Sequence, residues 1–336
     1  MAAPTFSVVI DSYNYARFIP QAINSVLEQD VPASEVEIIV VDDGSTDDTI
    51  EVVRRFGDKV RLIVQENAGQ AAAFATGFAA ARGQIICLLD SDDYWAAGKL
   101  SAVTEAMKSP AIGLAQNFQR DVNIEGRPLP NSLPDWPPIY RISDLLEGRF
   151  INAATSSIAI RRSILDKILP VPSEFFYLHD DYLLMHGLIH GDVANIPRIL
   201  GYHRMHGTNN SAVLGHPARL ERFIREKKLF RPILEAKLRE RGLTLSPRYL
   251  AIFGMDILRR EIMLAGLQGA RKDALKKWLE LVRLYAGTGL GLFRAATLLL
   301  ALVSPQLYLR VYELYNTTSW MARLRHRTLP DPPSQL

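Results

Sequence analysis

Four short apolar runs in the first 95 residues set what this chain can fold into: Phe6–Ile10 (FSVVI), Val36–Val41 (VEIIVV), Val60–Val64 (VRLIV) and Ile85–Leu89 (IICLL). They are rich in β-branched and aliphatic residues; Phe6–Ile10 and Ile85–Leu89 read as buried strands of a parallel sheet, Val36–Val41 is likewise continuous and β-branched, and Val60–Val64 reads as a further strand. Between them the periodicity changes. Residues 17–29 place Phe18, Ile19, Ala22, Ile23, Val26 and Leu27 at helical spacing, and an Ala-rich helix is expected over about 70–81. A further helix is expected after Asp42-Asp43-Gly44-Ser45-Thr46-Asp47, with Ser45 or Asp47 as its cap. Four strand–loop–helix units in succession make an α/β fold the economical solution, with a mainly parallel sheet and right-handed crossovers.

The fourth run sits inside GQIICLLDSDDYW, residues 83–95, where Asp90, Asp92 and Asp93 crowd the expected end of the strand. Ligands of open α/β sheets bind at the carboxyl ends of strands. Carboxylates this close repel one another unless a cation neutralises them. Hard carboxylate oxygens suit Mg²⁺ or Mn²⁺, whose remaining positions go to phosphate oxygens and water. A solvated acidic turn is the alternative. No G-x-G-x-x-G follows the first run and no P-loop lysine signature is present. That argues against a dehydrogenase or a kinase, and leaves metal and loop to hold any phosphate.

The chain has 336 residues, of which 48% are hydrophobic, enough for a large domain with a smaller one beside it. The single cysteine, Cys87, lies within the fourth run and reads as a small core residue. It is compatible with a reducing compartment, and MAAPTFSVVI shows no secretory signal, so a cytoplasmic location is expected. The net charge of +3 hides an asymmetry. Residues 1–215 carry 17 Lys+Arg against 26 Asp+Glu, whereas residues 216–336 carry 22 against 10. The basic part lacks zinc-ligand spacing and aromatic–basic platforms, which disfavours nucleic acid as a partner.

Four motifs in order, FSVVIDSYNYARFIPQAINSVLEQD, VEIIVVDDGSTDDT, ENAGQAAAFATGFAAARG and IICLLDSDDYW, resemble glycosyltransferase family 2. The resemblance covers roughly residues 5–215. It implies a GT-A fold, an inverting mechanism, a nucleotide-diphospho-sugar donor and a divalent cation, Mg²⁺ or Mn²⁺. Carried over position by position, Tyr13 would stack on the nucleotide base and Asp43 would bond to a uracil-type base. Ser12, Asn67 and Gly69 would join the donor site. Asp90 and Asp92 would bind metal and sugar diphosphate, with Asp93 alongside. In HDDYLL, residues 179–184, Asp181 takes the catalytic-base position and Asp180 the acid before it. GYHRMHGTNNS, residues 201–211, is similar to the family's ending, here Tyr202, Arg204, His206 and Ser211, with His203 inserted. Arg204 would meet the diphosphate and His206 the metal or diphosphate. One departure stands out: many members carry Arg-Asn where this chain has Phe74-Ala75. Phe74 cannot reach a diphosphate, which leaves open how that charge is matched.

Less is legible elsewhere. A strand is expected over Gly113–Phe118, an exposed loop with five prolines over 121–138, and a strand over Phe150–Ile160 with Thr155, Ser156 and Ser157 lining a cleft. Trp136 would stack on a sugar or anchor its loop. From Pro217 come basic helices over about 218–241, 248–268 and 271–286. The apolar run Gly287–Val303 is short and interrupted by Arg294, so no membrane span is expected. Three readings remain for residues 216–328: a helical subdomain closing the catalytic domain, a homodimer contact, or a peripheral contact with the inner face of a membrane. The last would bury Phe293, Leu298, Leu299 and Leu302, with Arg310, Arg323, Arg325 and Arg327 near lipid phosphates. Residues 329–336 read as a flexible tail. The expected partners are a nucleotide-diphospho-sugar and a glycan or lipid-linked glycan acceptor. The family's Gln-x-x-Arg-Trp motif of processive polymerases is absent, which favours transfer of one sugar. The rival readings are a sugar nucleotidyltransferase, which would want a basic glycine-rich first loop, and a non-catalytic binding protein of the same fold.

Overall fold

The computed structural model describes residues 4–130, 133–172, 174–175, 179–206, 209, 215–285, 298–301 and 303–310. Ser211, Phe293, Arg294, Leu302, Arg323, Arg325, Arg327 and the tail at 329–336 lie outside the described residues. The elements run β1 (Phe6–Ser12), α1 (Ile19–Leu27), β2 (Val36–Asp42), α2 (Thr49–Arg54), β3 (Arg61–Val64), α3 (Gln70–Ala80), β4 (Ile85–Asp90), β5 (Tyr94–Trp95) and α4 (Lys99–Ala106). Then follow β6 (Ile112–Val122), β7 (Ile139–Tyr140), α5 (Ile142–Leu146), β8 (Ala159–Arg161), α6 (Arg162–Ile168), α7 (His179–Leu188) and β9 (Asp192–Arg204). Three longer helices close the series: α8 (Pro217–Arg239), α9 (Pro247–Leu267) and α10 (Arg271–Tyr285).

The strands form one sheet in the order β3-β2-β1-β4-β8-β6-β9-β5, with β7 beside β9. Pairings among β1 to β4 are parallel, while β8 runs antiparallel to both β4 and β6. The continuous apolar runs of β1, β2 and β4 are explained by burial on both faces, whereas β3, at the edge of the sheet, leaves Arg61 and Val64 exposed. Val9, Ile39, Val41, Ile86 and Leu88 pack on one side with Phe74 and Phe78 of α3. Val8, Ile10, Ile38, Val40, Cys87 and Leu89 pack on the other with Ile19, Ile23 and Val26 of α1. The expected α/β class and mainly parallel sheet are found, as is the buried Cys87.

Gly83 permits the closest approach in the sheet's lower edge. A Cβ there would lie 2.5 Å from the Ser7 backbone nitrogen and 2.6 Å from the Phe6 carbonyl carbon, neither of which can swing away. Gly83→Ala should therefore push β1 from β4 and cost about 1–3 kcal/mol, the usual penalty of overpacking. A urea unfolding curve with a midpoint equal to the wild type would refute this.

Residues 150–160 depart from expectation. Only Ala159–Arg161 is strand, and Thr155–Ser157 form a 3₁₀ turn. The turn is set by hydroxyl chemistry. Ser156 Oγ accepts from the Asp90 backbone N–H at 3.0 Å and donates to Asp93 Oδ2 at 2.7 Å, so it closes over the end of β4 instead of extending beside it. The proline-bearing stretch also starts later than expected, since Asp121 and Val122 belong to β6.

The helical region is not a separate appendage. Phe230, Leu234 and Leu238 of α8, with Tyr249 and Phe253 of α9, share a hydrophobic cluster with Phe175, Tyr182 and Leu184 around α7. Further along, α8 and α9 pack with Leu281, Leu298 and Tyr308 in a cluster of their own. Among the described residues, no helix is long and apolar enough to cross a membrane.

Candidate active site

The carboxyl ends of β1 and β2 open on a cavity of about 480 Å³, lined by Asp11, Tyr13, Asp43, Asn67, Gly69 and Gln70 among others. That volume lies in the range of small-molecule sites. Asp11 was not singled out by the sequence, yet the parallel register sets it directly beside Asp90. The signal was there: both acids stand one residue after a buried run. Burial and the nearby Asp92 charge push the Asp11 carboxyl up to about 8. Burial, then Asp11, Asp93 and Asp92, raise Asp90 well above the usual carboxylate range. Gln70 Nε2 donates to Asp90 Oδ1 at 2.8 Å. Asp11 Oδ1 and Ser12 Oγ are buried with no partner among the described residues.

Asp92 and His206 meet as the resemblance implied. His206 Nε2 lies 2.8 Å from Asp92 Oδ2, and its ring stacks on Phe18 at 5.2 Å between centroids. Asn209 Nδ2 approaches the same Asp92 oxygen at 3.5 Å. The carboxylates, with an orphaned Asp11 oxygen, are hard oxygen donors that fit Mg²⁺ or Mn²⁺, and the imidazole is a borderline nitrogen donor that suits Mn²⁺ better than Mg²⁺. Among the described residues no three His, Cys, Asp or Glu side chains form a ready-made cage. The donor set therefore suits a cation that completes its shell with phosphate and water.

Asp93 and Arg204 are placed differently. Asp93 is 1% exposed; its carboxylate accepts from Ser156 Oγ and, at 3.0 Å, from the Arg204 backbone N–H. The Arg204 guanidinium, 3% exposed, donates to the Asp92 carbonyl, the Ile124 carbonyl and Gln21 Oε1. These two residues fasten the β4 loop to β9, to the loop after β6 and to α1.

On the other side of the cavity Tyr13 stands 45% exposed, an aromatic face available to a planar ligand. Asp43 is buried and organises the loop before α3. Its Oδ1 accepts from Gln65 Nε2 at 2.7 Å and the Ala68 N–H at 2.9 Å, and its Oδ2 from the Gly69 N–H at 2.7 Å. A carboxylate offers about four acceptor sites, so one remains. Gly69 at φ 93° lets the chain turn into α3 in a conformation side chains resist. Asp42 and Asp47 do the turn work: Asp42 Oδ1 accepts from the Ser45 N–H and Asp47 Oδ1 from the Thr49 N–H at the head of α2.

Asp180 and Asp181 lie in the first turn of α7, which His179 fastens to the rest of the domain. His179 Nε2 lies 3.3 Å from Thr155 Oγ1, and its ring stacks on Phe74 at 5.2 Å. Phe74, 1% exposed, is thus a core residue that props α7. Asp181 is held on both oxygens, by Asn152 Nδ2 and by Lys227 Nζ of α8 at 3.4 Å. Neither partner was foreseen. Asp180 is half-buried and accepts from the Asp181 N–H at 2.8 Å. Burial, then the Asp181 charge, push its carboxyl up to about 7.

The geometry invites comparison with known proteins. The family model described as glycosyl transferase family 2 matches residues 7–169, which include the cavity residues from Asp11 to Gln70, the acidic loop and the Thr155–Ser157 turn. The chain belongs to glycosyltransferase family 2. An uncharacterised glycosyltransferase of Nostoc sp. is 32% identical over 216 residues, 61% of this chain and 66% of that protein. The poly(ribitol-phosphate) beta-N-acetylglucosaminyltransferase TarS of Staphylococcus aureus is 25% identical over 202 residues, 57% of this chain and 34% of that one. The chain thus spans 66% and 34% of the lengths of these two relatives. The crystal structure of S. aureus TarS 1-349 in complex with UDP-GlcNAc superposes with a TM-score of 0.58 at 18% identity, covering 93% of this chain and 91% of the other. At that identity the likeness establishes the fold, which is the GT-A fold the family resemblance implied.

Proposed function

We propose that this chain transfers a single sugar, with inversion, from a nucleotide-diphospho-sugar to a hydroxyl of a glycan or lipid-linked glycan. The observation that carries the reading is the cavity, lined by an exposed aromatic ring, Tyr13, by Asp43 and by Asp11, whose neighbour across the sheet is Asp90. A base fits against Tyr13 and donates a ring N–H to the spare lone pair of Asp43. That pairing suits uracil, and TarS, a relative, has been crystallised with UDP-GlcNAc. Asp90, Asp92 and His206 would hold Mg²⁺ or Mn²⁺. When bound, the ion supplies charge neutralisation for the diphosphate leaving group.

Asp181 is the proposed base. A sugar hydroxyl attacks poorly until a carboxylate takes its proton, and Asn152 and Lys227 hold Asp181 in one orientation. The oxygen attacks the anomeric carbon opposite the departing diphosphate, the glycosidic bond forms as the sugar–phosphate bond breaks, and the proton stays on Asp181. Asp93 and Arg204 serve as framework.

The test is calorimetric titration of the full chain with a panel of UDP- and GDP-sugars, with Mn²⁺ or with EDTA. One UDP-sugar is expected to bind in the presence of Mn²⁺. Tyr13→Ala should weaken it roughly tenfold, in keeping with the value of one base-on-aromatic stack. Absence of binding by every nucleotide sugar would overturn the reading.

A further inference from the structure

We infer that Arg219, in the first turn of α8, is the cation that meets the donor's diphosphate. The inference rests on the nucleotide-diphosphate reading of the cavity and names the group that reading lacks. A diphosphate brings several negative charges into a site that already contains Asp11, Asp90 and Asp92. One divalent ion cannot balance both, so a further positive group is required.

The sequence suggests two places to look, and both are closed. The α3 position where many family members carry Arg holds Phe74, packed against His179 and Phe78. Arg204, the cation of the late motif, points its guanidinium into the framework, where Asp92, Ile124 and Gln21 take its donors. Arg219 is different. It lines the cavity together with Tyr13, and the other lining residues are neutral or acidic.

Its position is set by the metal loop. Nη1 of Arg219 donates to the Asn209 carbonyl at 3.3 Å. Asn209 in turn donates from Nδ2 to the Arg204 carbonyl at 2.7 Å, and accepts the His206 N–H at 2.5 Å. Arg219 is therefore tied through one residue to His206 and Asp92. Five N–H donors in a planar fork leave several for phosphate oxygens. Pro217 at the start of the 23-residue α8 also places the helix's positive end here, which adds to the same field. The basic C-terminal region thereby contributes a residue to the donor site itself.

The experiment compares UDP with uridine on the full chain in Mn²⁺, by calorimetry for UDP and ligand-observed NMR for uridine, in wild type, Arg219→Ala and Arg219→Lys. Arg219→Ala should lose roughly 10- to 100-fold in UDP affinity, as expected for charge-assisted contacts, with uridine affinity unchanged. Arg219→Lys should recover part of the loss. Equal losses for UDP and uridine would reduce Arg219 to a structural tether, and unchanged UDP affinity would remove it from the site. Either overturns the inference while the wild type still binds UDP. Failure of the wild type to bind UDP would instead overturn the donor reading beneath it.

Discussion

Asp181→Asn is expected to lower kcat/KM for sugar transfer by roughly 10²- to 10⁴-fold, the usual contribution of a general base. Donor affinity should stay within about twofold, because Asn keeps the shape and one of the two acceptor oxygens while losing the ionisable carboxylate. Asp180→Asn should cost less, and its signature is pH. Burial and the Asp181 charge raise the Asp180 carboxyl to about 7, above the ordinary 3.8. The native state therefore holds this proton more tightly than the unfolded chain does. Ionising Asp180 costs stability as pH rises from about 4 to 7, and above 7 that cost is fully present. Activity runs the other way: an ionised Asp180 beside Asp181 strengthens the pull on the acceptor proton, so wild-type activity should rise with pH through about 7. In Asp180→Asn that limb should disappear. A pH profile that keeps its limb in Asp180→Asn, or an Asp181→Asn enzyme with wild-type turnover, would displace this assignment.

Much of this arrangement was legible from the chain, and what was not has a common cause. β1, β2, β3 and β4 and the helices α1, α3, α8, α9 and α10 end within a few residues of their expected limits, because continuous aliphatic runs and helical spacing are local signals. The resemblance offered both Asp92 and His206 to a metal, and the two side chains lie 2.8 Å apart. Other contacts made by polar side chains over long separations were not legible. Arg204 carries the charge of a phosphate binder, yet three carbonyl or amide acceptors from distant segments surround it. Lys227 of α8 grips Asp181, and Arg219 reaches the donor cavity, although nothing in the basic helices distinguishes these two from their neighbours. Thr155–Ser157 looked like a strand by composition and became a turn because Ser156 had two partners at the end of β4. Asp11 is the instructive miss. Its place after a buried run was plain, but its nearness to Asp90 needed the register of β1 on β4.

That register also governs the second large effect. Asp92→Ala, or chelation of the wild type, is expected to reduce turnover by at least about 10³-fold, since a cation at a diphosphate leaving group is worth several kcal/mol of transition-state stabilisation. The reasoning starts from repulsion. Asp11 and Asp90 are adjacent, half-buried and driven toward the protonated form, and Asp92 contributes to both shifts. A cation reverses that situation by making the ionised carboxylates favourable, so cation binding should release protons. Titrating Mn²⁺ into the UDP-bound protein in two buffers of different ionisation enthalpy measures that release directly, without reference to turnover. Asp92→Ala removes one oxygen donor and the partner of His206, and should weaken Mn²⁺ binding while leaving the uridine interaction with Tyr13 and Asp43 in place. Asp93→Asn makes the contrast. Its carboxylate is committed to Ser156 and the Arg204 backbone, so the substitution should lower the unfolding temperature and leave Mn²⁺ affinity nearly unchanged. If Asp92→Ala bound Mn²⁺ as the wild type does, or if Asp93→Asn abolished binding, the division of these acids into ligand and framework would be reversed.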